Sequence, residues 1–77
     1  VSNLKHDWDD TQTSLLIMNS ALASHQAAYR AYMICAQAGE WEDAARHAVE
    51  TTAHLEVAMD AFAAACRIQQ RGKPGDA

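Results

Sequence analysis

Apolar positions recur at helical spacing along almost the whole chain, and a single glycine divides them. In the first half, Leu4, Trp8, Thr11, Leu15, Met18, Leu22, His25, Tyr29, Tyr32 and Ala36 follow one another at alternating steps of four and three. That rhythm marks one face of an amphipathic helix. In the second half, Trp41, Ala45, Ala48, Thr52, Leu55, Met59, Phe62, Cys66 and Gln69 make a matching stripe. Gly39 is the only glycine or proline between residues 2 and 71. Glycine favours the left-handed conformation that ends a helix and is unfavourable inside one. The pattern therefore predicts an all-α chain that forms one antiparallel two-helix hairpin. It places a helix over about 3–38, a turn at 38–40, a helix over about 40–71 and a short flexible tail over 72–77.

The flanking residues fit those limits. Ser2 or Asn3 can cap the first helix, and Asp7, Asp9 or Asp10 can cap a shorter version. The second helix opens with Glu40, Glu42 and Asp43 and closes with Arg67 and Arg71, as the helix dipole prefers. Gly72 and Pro74 supply the stop. Folding at Gly39 sets residue i opposite residue 79 − i. Leu15 and Met18 are then expected against Phe62 and Cys66, and Leu22 against Met59 and Leu55. Asp9 and Asp10 approach Arg67 and Arg71, and Trp41 is expected to cover the turn end.

Composition points to a partner. The chain has 77 residues, 49% of them hydrophobic, and many of these are alanine, which favours helix but buries little area. A domain of this size sits near the lower limit for an adequate core of its own. The net charge of −4 argues against a nucleic-acid partner. Charge is also unevenly shared: from Thr11 to Gly39 the only charged side chain is Arg30, whereas the second helix is rich in charge. A helix so poor in charge is not an ordinary surface helix. Its second face, Ile17, Ala21, Ser24, Ala28, Ala31, Cys35 and Ala38, is almost entirely small, as close helix contact requires. The large stripe is therefore expected to meet the hairpin mate, and the small stripe another chain. The expected outcome is a homodimeric four-helix bundle, or a complex with another helical protein. Ile17, Ala21, Ser24, Ala28, Ala31 and Cys35 make that contact, with Tyr29 and Tyr32 as anchors.

Candidate chemistry is sparse. His47, Glu50 and His54 lie at i, i+3 and i+7 on the second helix, and the hairpin brings His25 near His54. Imidazole and carboxylate suit zinc or iron, so a metal- or small-ligand-binding bundle through these four residues is the alternative function. The spacing differs from the di-iron Glu-x-x-His pattern, and a core His25 hydrogen-bonded to His54 or Thr51 is the competing reading. Cys35 and Cys66 fall roughly 35 Å apart along the hairpin at 1.5 Å per residue, far beyond the reach of a disulfide. Two unbridged thiols suggest a reducing, cytoplasmic setting. No nucleophile with an activating base, phosphate loop or paired-carboxylate site is found, so no enzyme activity and no cofactor are expected. No apolar run is long enough to span a bilayer.

Two local resemblances bear on the turn. Ala36 to Ala44, A-Q-A-G-E-W-E-D-A, resembles the inter-helix turn of a tetratricopeptide repeat, where glycine precedes an aromatic and then alanine. The match covers this turn alone, with no second copy and no closing proline, and implies shared turn chemistry. The outline also resembles the small helical-hairpin proteins of bacterial type VII secretion, whose turn carries Trp-x-Gly. Here the order is Gly39-Glu40-Trp41, and the C-terminal Tyr-x-x-x-acid signal is missing. That resemblance implies a secreted hairpin acting as half of a heterodimer.

Overall fold

The computed structural model describes the backbone of residues 3–71 and the side chains of residues 8–71. The expectations for Ser2, for the side chains of Leu4 and Asp7, and for the 72–77 tail lie outside the described residues. Two helices, α1 (Asn3–Gln37) and α2 (Trp41–Arg71), pack against each other as an antiparallel hairpin measuring 58 × 21 × 12 Å.

Gly39 makes the turn, and the reason is conformational. Its φ is +77°, in the left-handed region, and a Cβ there would meet nothing within 4 Å. The demand for glycine is thus a demand of the backbone, not of space. The Glu40 N–H donates to the Cys35 carbonyl (2.9 Å), and the Gly39 N–H to the Ala36 carbonyl (3.1 Å). These are the two bonds of a Schellman motif, which satisfy carbonyls left open at the end of α1. The Glu40 carbonyl then accepts from the Ala44 N–H (2.9 Å), so α2 starts at once. Glu42 and Asp43 occupy its first turn, where the dipole favours acidic groups.

The seam between the helices follows a strict seven-residue repeat. In α1 it consists of Thr11, Ser14, Met18, Ala21, His25, Ala28, Tyr32 and Cys35; in α2 of Ala44, His47, Thr51, His54, Ala58, Ala61, Ala65 and Ile68. Each of these side chains is buried or half-buried. They occupy the a and d positions of a coiled coil, and the pairs across the seam (Cys35 with Ala44, Ala21 with Ala58, Ser14 with Ala65) obey the 79 − i register. A repeat of seven, slightly out of step with 3.6 residues per turn, keeps two helices in register when they coil left-handedly.

This seam is not the stripe of large residues. Ala44 (2% exposed), Ala58 (3%) and Ala65 (4%) are the most buried apolar residues, and no large side chain is fully buried among the described residues. In α2 the expected stripe is displaced by about one residue: Trp41, Met59 and Phe62 are exposed large hydrophobics, and Ala45, Thr52, Cys66 and Gln69 are exposed too. Trp41, expected over the turn, is 69% exposed. In α1 the seam takes Thr11, Met18, His25 and Tyr32 from the large stripe, and Ala21, Ala28 and Cys35 from the small one. The physical reason is side-chain size, because small residues let helix backbones approach more closely. The hairpin mate uses that closeness.

Among the described residues, hydrogen bonds cross the seam at two places. His25 and Thr51 join near the centre, and Gln69 Nε2 donates to Thr11 Oγ1 (3.0 Å) at the open end, where Thr11 is 4% exposed. Among the described residues no ion pair links Asp9 or Asp10 with Arg67 or Arg71; the bond between Gln69 and Thr11, which is uncharged, joins the helices near that end.

Candidate functional site

With a and d in the seam, the flanking columns fall on two sides of the hairpin. Antiparallel pairing sets the e columns of the helices side by side on one flank and the g columns on the other. The e flank brings together Trp8, Leu15, Leu22 and Tyr29 of α1 with Trp41, Ala48, Leu55 and Phe62 of α2. Met59 and Cys66 extend it from the adjoining b column. An open apolar depression of about 250 Å³ marks its middle, lined by Met18, Leu22, Leu55, Ala58, Met59 and Phe62. Of the side chains expected to meet, Met18, Leu22, Leu55, Met59 and Phe62 share this depression, on an open flank instead of in a closed core, and Leu15 and Cys66 are not part of its lining.

Charge separates the flanks completely. Glu42, Asp43, Arg46, Glu50, Glu56, Asp60, Arg67 and Arg71 of α2, with Asp9, Asp10 and Arg30 of α1, all occupy c, f or g positions. Among the described side chains the e and b columns carry no charge. Thr52, in the b column, donates its hydroxyl to the Ala48 carbonyl (3.0 Å) of its own helix, so that this polar group is satisfied internally.

The g flank holds the candidate ligand set. An open groove of about 350 Å³ is lined by Ser24, Ala27, Ala28, Ala31, His47, Glu50 and His54. His47 Nδ1 lies 3.6 Å from Glu50 Oε2, beyond hydrogen-bond length, and is buried without a hydrogen-bond partner among the described residues. His25 is not part of the groove; it is engaged in the seam. Its Nδ1 lies 3.0 Å from the Thr51 carbonyl oxygen and 2.8 Å from Thr51 Oγ1. The Thr51 hydroxyl donates to the His25 carbonyl at 2.8 Å. A carbonyl only accepts, so Nδ1 carries the proton and shares it between the two Thr51 oxygens. Of the two partners expected for His25, Thr51 is the one it has. Among the described residues no three His, Cys, Asp or Glu side chains are placed to hold a metal ion, so His25, His47, Glu50 and His54 do not converge.

The residues expected to form the interface are divided. Ala21 and Ala28 are buried within the hairpin, and Ser24, Ala31, Tyr32 and Cys35 are half-buried. Only Ile17 and Tyr29 stand exposed, on opposite flanks. Tyr29 belongs to a run of rings along α1, 6.4 Å from His25 and 6.0 Å from Tyr32 between centroids. Of the small stripe, Ala21, Ala28 and Cys35 pack in the seam, whereas Ile17, Ser24 and Ala31 fall in the g column beside the groove. The surface missed in sequence is the e flank, and the absence of charge from the e and b columns over residues 8–71 was the signal that could have found it. Both cysteines are free, and no helix among the described residues is long and apolar enough to cross a membrane.

Comparison with protein-family models, with curated proteins and with solved structures gives no match for this chain.

Proposed function

We propose that this chain is a non-enzymatic protein–protein interaction module, a small assembly, adaptor or regulatory protein that self-associates, two hairpins pairing into a four-helix bundle. One observation carries this reading. Among the described residues the hairpin fully buries no large side chain, while Trp8, Tyr29, Trp41, Met59 and Phe62 stand exposed. Burial stabilises by roughly 25 cal/mol per Å² of apolar area, so a seam of alanines supplies little of what a two-helix domain needs. Covering the large side chains supplies the rest.

Folding coupled to association has a direct signature. The midpoint of thermal unfolding is expected to rise with protein concentration, by about 4 °C for each tenfold increase if the folded state is a dimer of chains this long. A midpoint independent of concentration, with full helicity retained at the lowest concentration, contradicts self-association.

A further inference from the structure

We infer that the uncharged e flank is the surface by which a second copy of this chain docks, the two hairpins lying head to tail. This rests on the self-association proposed above and names the surface and the orientation. Column chemistry comes first. A two-stranded coiled coil needs apolar residues at a and d alone, whereas helices inside a bundle also need a third apolar column at e or g. Here that column is e, with Leu22, Tyr29, Leu55 and Phe62, and both helices present it on the same side. The g column, with Asp10, Asp43, Glu50 and Arg71, fails the test.

Area agrees with a partner of this size. Phe62 is 53% exposed and Met59 62%. Large side chains that are about half exposed, each offering 150–250 Å² in all, leave roughly 100 Å² apiece to cover. Trp8, Tyr29, Met59 and Phe62 then contribute on the order of 400 Å², and Trp41 (69% exposed) with Leu55 (36%) raises this to about 600 Å². With the alanines between them this approaches the ~800 Å² per partner of a stable interface.

Charge selects the copy and its direction. A flank without charge gives no hold to a strongly charged partner and repels no identical one. At the hairpin's ends the charges differ: Glu40, Glu42 and Asp43 outnumber Arg46 at the turn, whereas Asp9 and Asp10 balance Arg67 and Arg71 towards the open end. A two-fold axis across the middle of the flank sets each acidic turn beside the other copy's charge-balanced end and keeps the two acidic turns apart. An axis along the hairpin would set like beside like.

Two measurements on the full chain test this. Phe62→Glu and Val57→Glu form a matched pair: both sites are in α2, 53% and 49% exposed, on opposite flanks. By sedimentation equilibrium Phe62→Glu is expected to be a single chain, and Val57→Glu a dimer like the unmodified protein. A dimer that survives Phe62→Glu overturns the e flank yet leaves self-association standing. An unmodified protein that is already a single chain removes both. The second measurement does not depend on the folding of the Phe62 variant. Spin labels at Glu40→Cys, in a Cys35→Ala, Cys66→Ala background, are expected about 50 Å apart in the head-to-tail dimer, given 1.5 Å rise per residue. A separation near 20 Å, set by neighbouring helices alone, overturns the orientation.

Discussion

His25 and Thr51 clasp each other across the seam, each side chain reaching the other residue's backbone carbonyl: imidazole Nδ1 donates at 3.0 Å, and the threonine hydroxyl at 2.8 Å. Both residues sit at a positions of the repeat, so the contact exists only when the helices are antiparallel and in this register. A polar contact placed in a helix seam can fix register in this way at little gain in stability. Thr51→Val removes the hydroxyl and keeps the shape. It is expected to lower stability by about 1 kcal/mol, while Thr51→Ser retains most of it. Urea unfolding of the three proteins at one concentration checks this; equal midpoints for threonine and valine contradict it.

The same clasp fixes a tautomer. In the neutral imidazole of His25 the proton belongs on Nδ1, because the Thr51 carbonyl can accept from it and cannot donate to it. Long-range proton–nitrogen correlation spectra distinguish this from the Nε2 tautomer. Neutral His25 protonated on Nε2 contradicts the assigned hydrogen bonds.

At Gly39 the left-handed φ of +77° sets the expectation. Gly39→Ala places a Cβ in open space yet is expected to be about 1–2 kcal/mol less stable, the ordinary preference of an L-residue against this conformation. The midpoint shifts and the urea slope stays constant if only the turn is affected. No loss on substitution contradicts the Schellman turn.

Within the seam, size decides. Ala58 is 3% exposed, so Ala58→Leu drives a larger side chain between close helices and is expected to destabilise by about 1–3 kcal/mol. Ala63→Leu, exposed on the outer column of α2, is expected within about 0.5 kcal/mol of the parent. Ala28→Arg, which an interface along the small stripe would merely dissociate, is expected to disrupt the hairpin itself, visible as lost helicity. Retained helicity contradicts the seam.

Surface charge contributes little by comparison. Asp43 and Arg46 form an exposed i, i+3 pair at 3.1 Å. Arg46→Ala is expected to change stability by less than about 0.5 kcal/mol. A loss well above that, removed by salt, contradicts so modest a role.

How much of this was legible in the sequence depended on which property carried the signal. The turn was legible because Gly39 stands alone between two periodic segments. The 79 − i register was legible because it follows from the turn. The pairing face was not. Hydrophobic size points to Leu15, Leu22, Leu55 and Phe62 as core, but a close two-helix seam selects for smallness, and Ala21, Ala28, Ala44 and Ala58 occupy it. The large residues therefore lie one column away, at e and b. The histidines misled for a related reason: spacing along α2 puts His47, Glu50 and His54 on one side, but His25 turns into the seam to meet Thr51. Helix spacing gives a residue's angle around its own axis, and a neighbour decides what that angle faces.

Sedimentation equilibrium of the unmodified full chain across the micromolar range tests most directly the claim that large apolar side chains left outside an alanine seam are covered by a second copy. Twice the chain mass is expected, with Trp8 and Trp41 shielded from a soluble fluorescence quencher in the same samples. A single-chain mass, with stable helicity and both tryptophans open to the quencher, contradicts it.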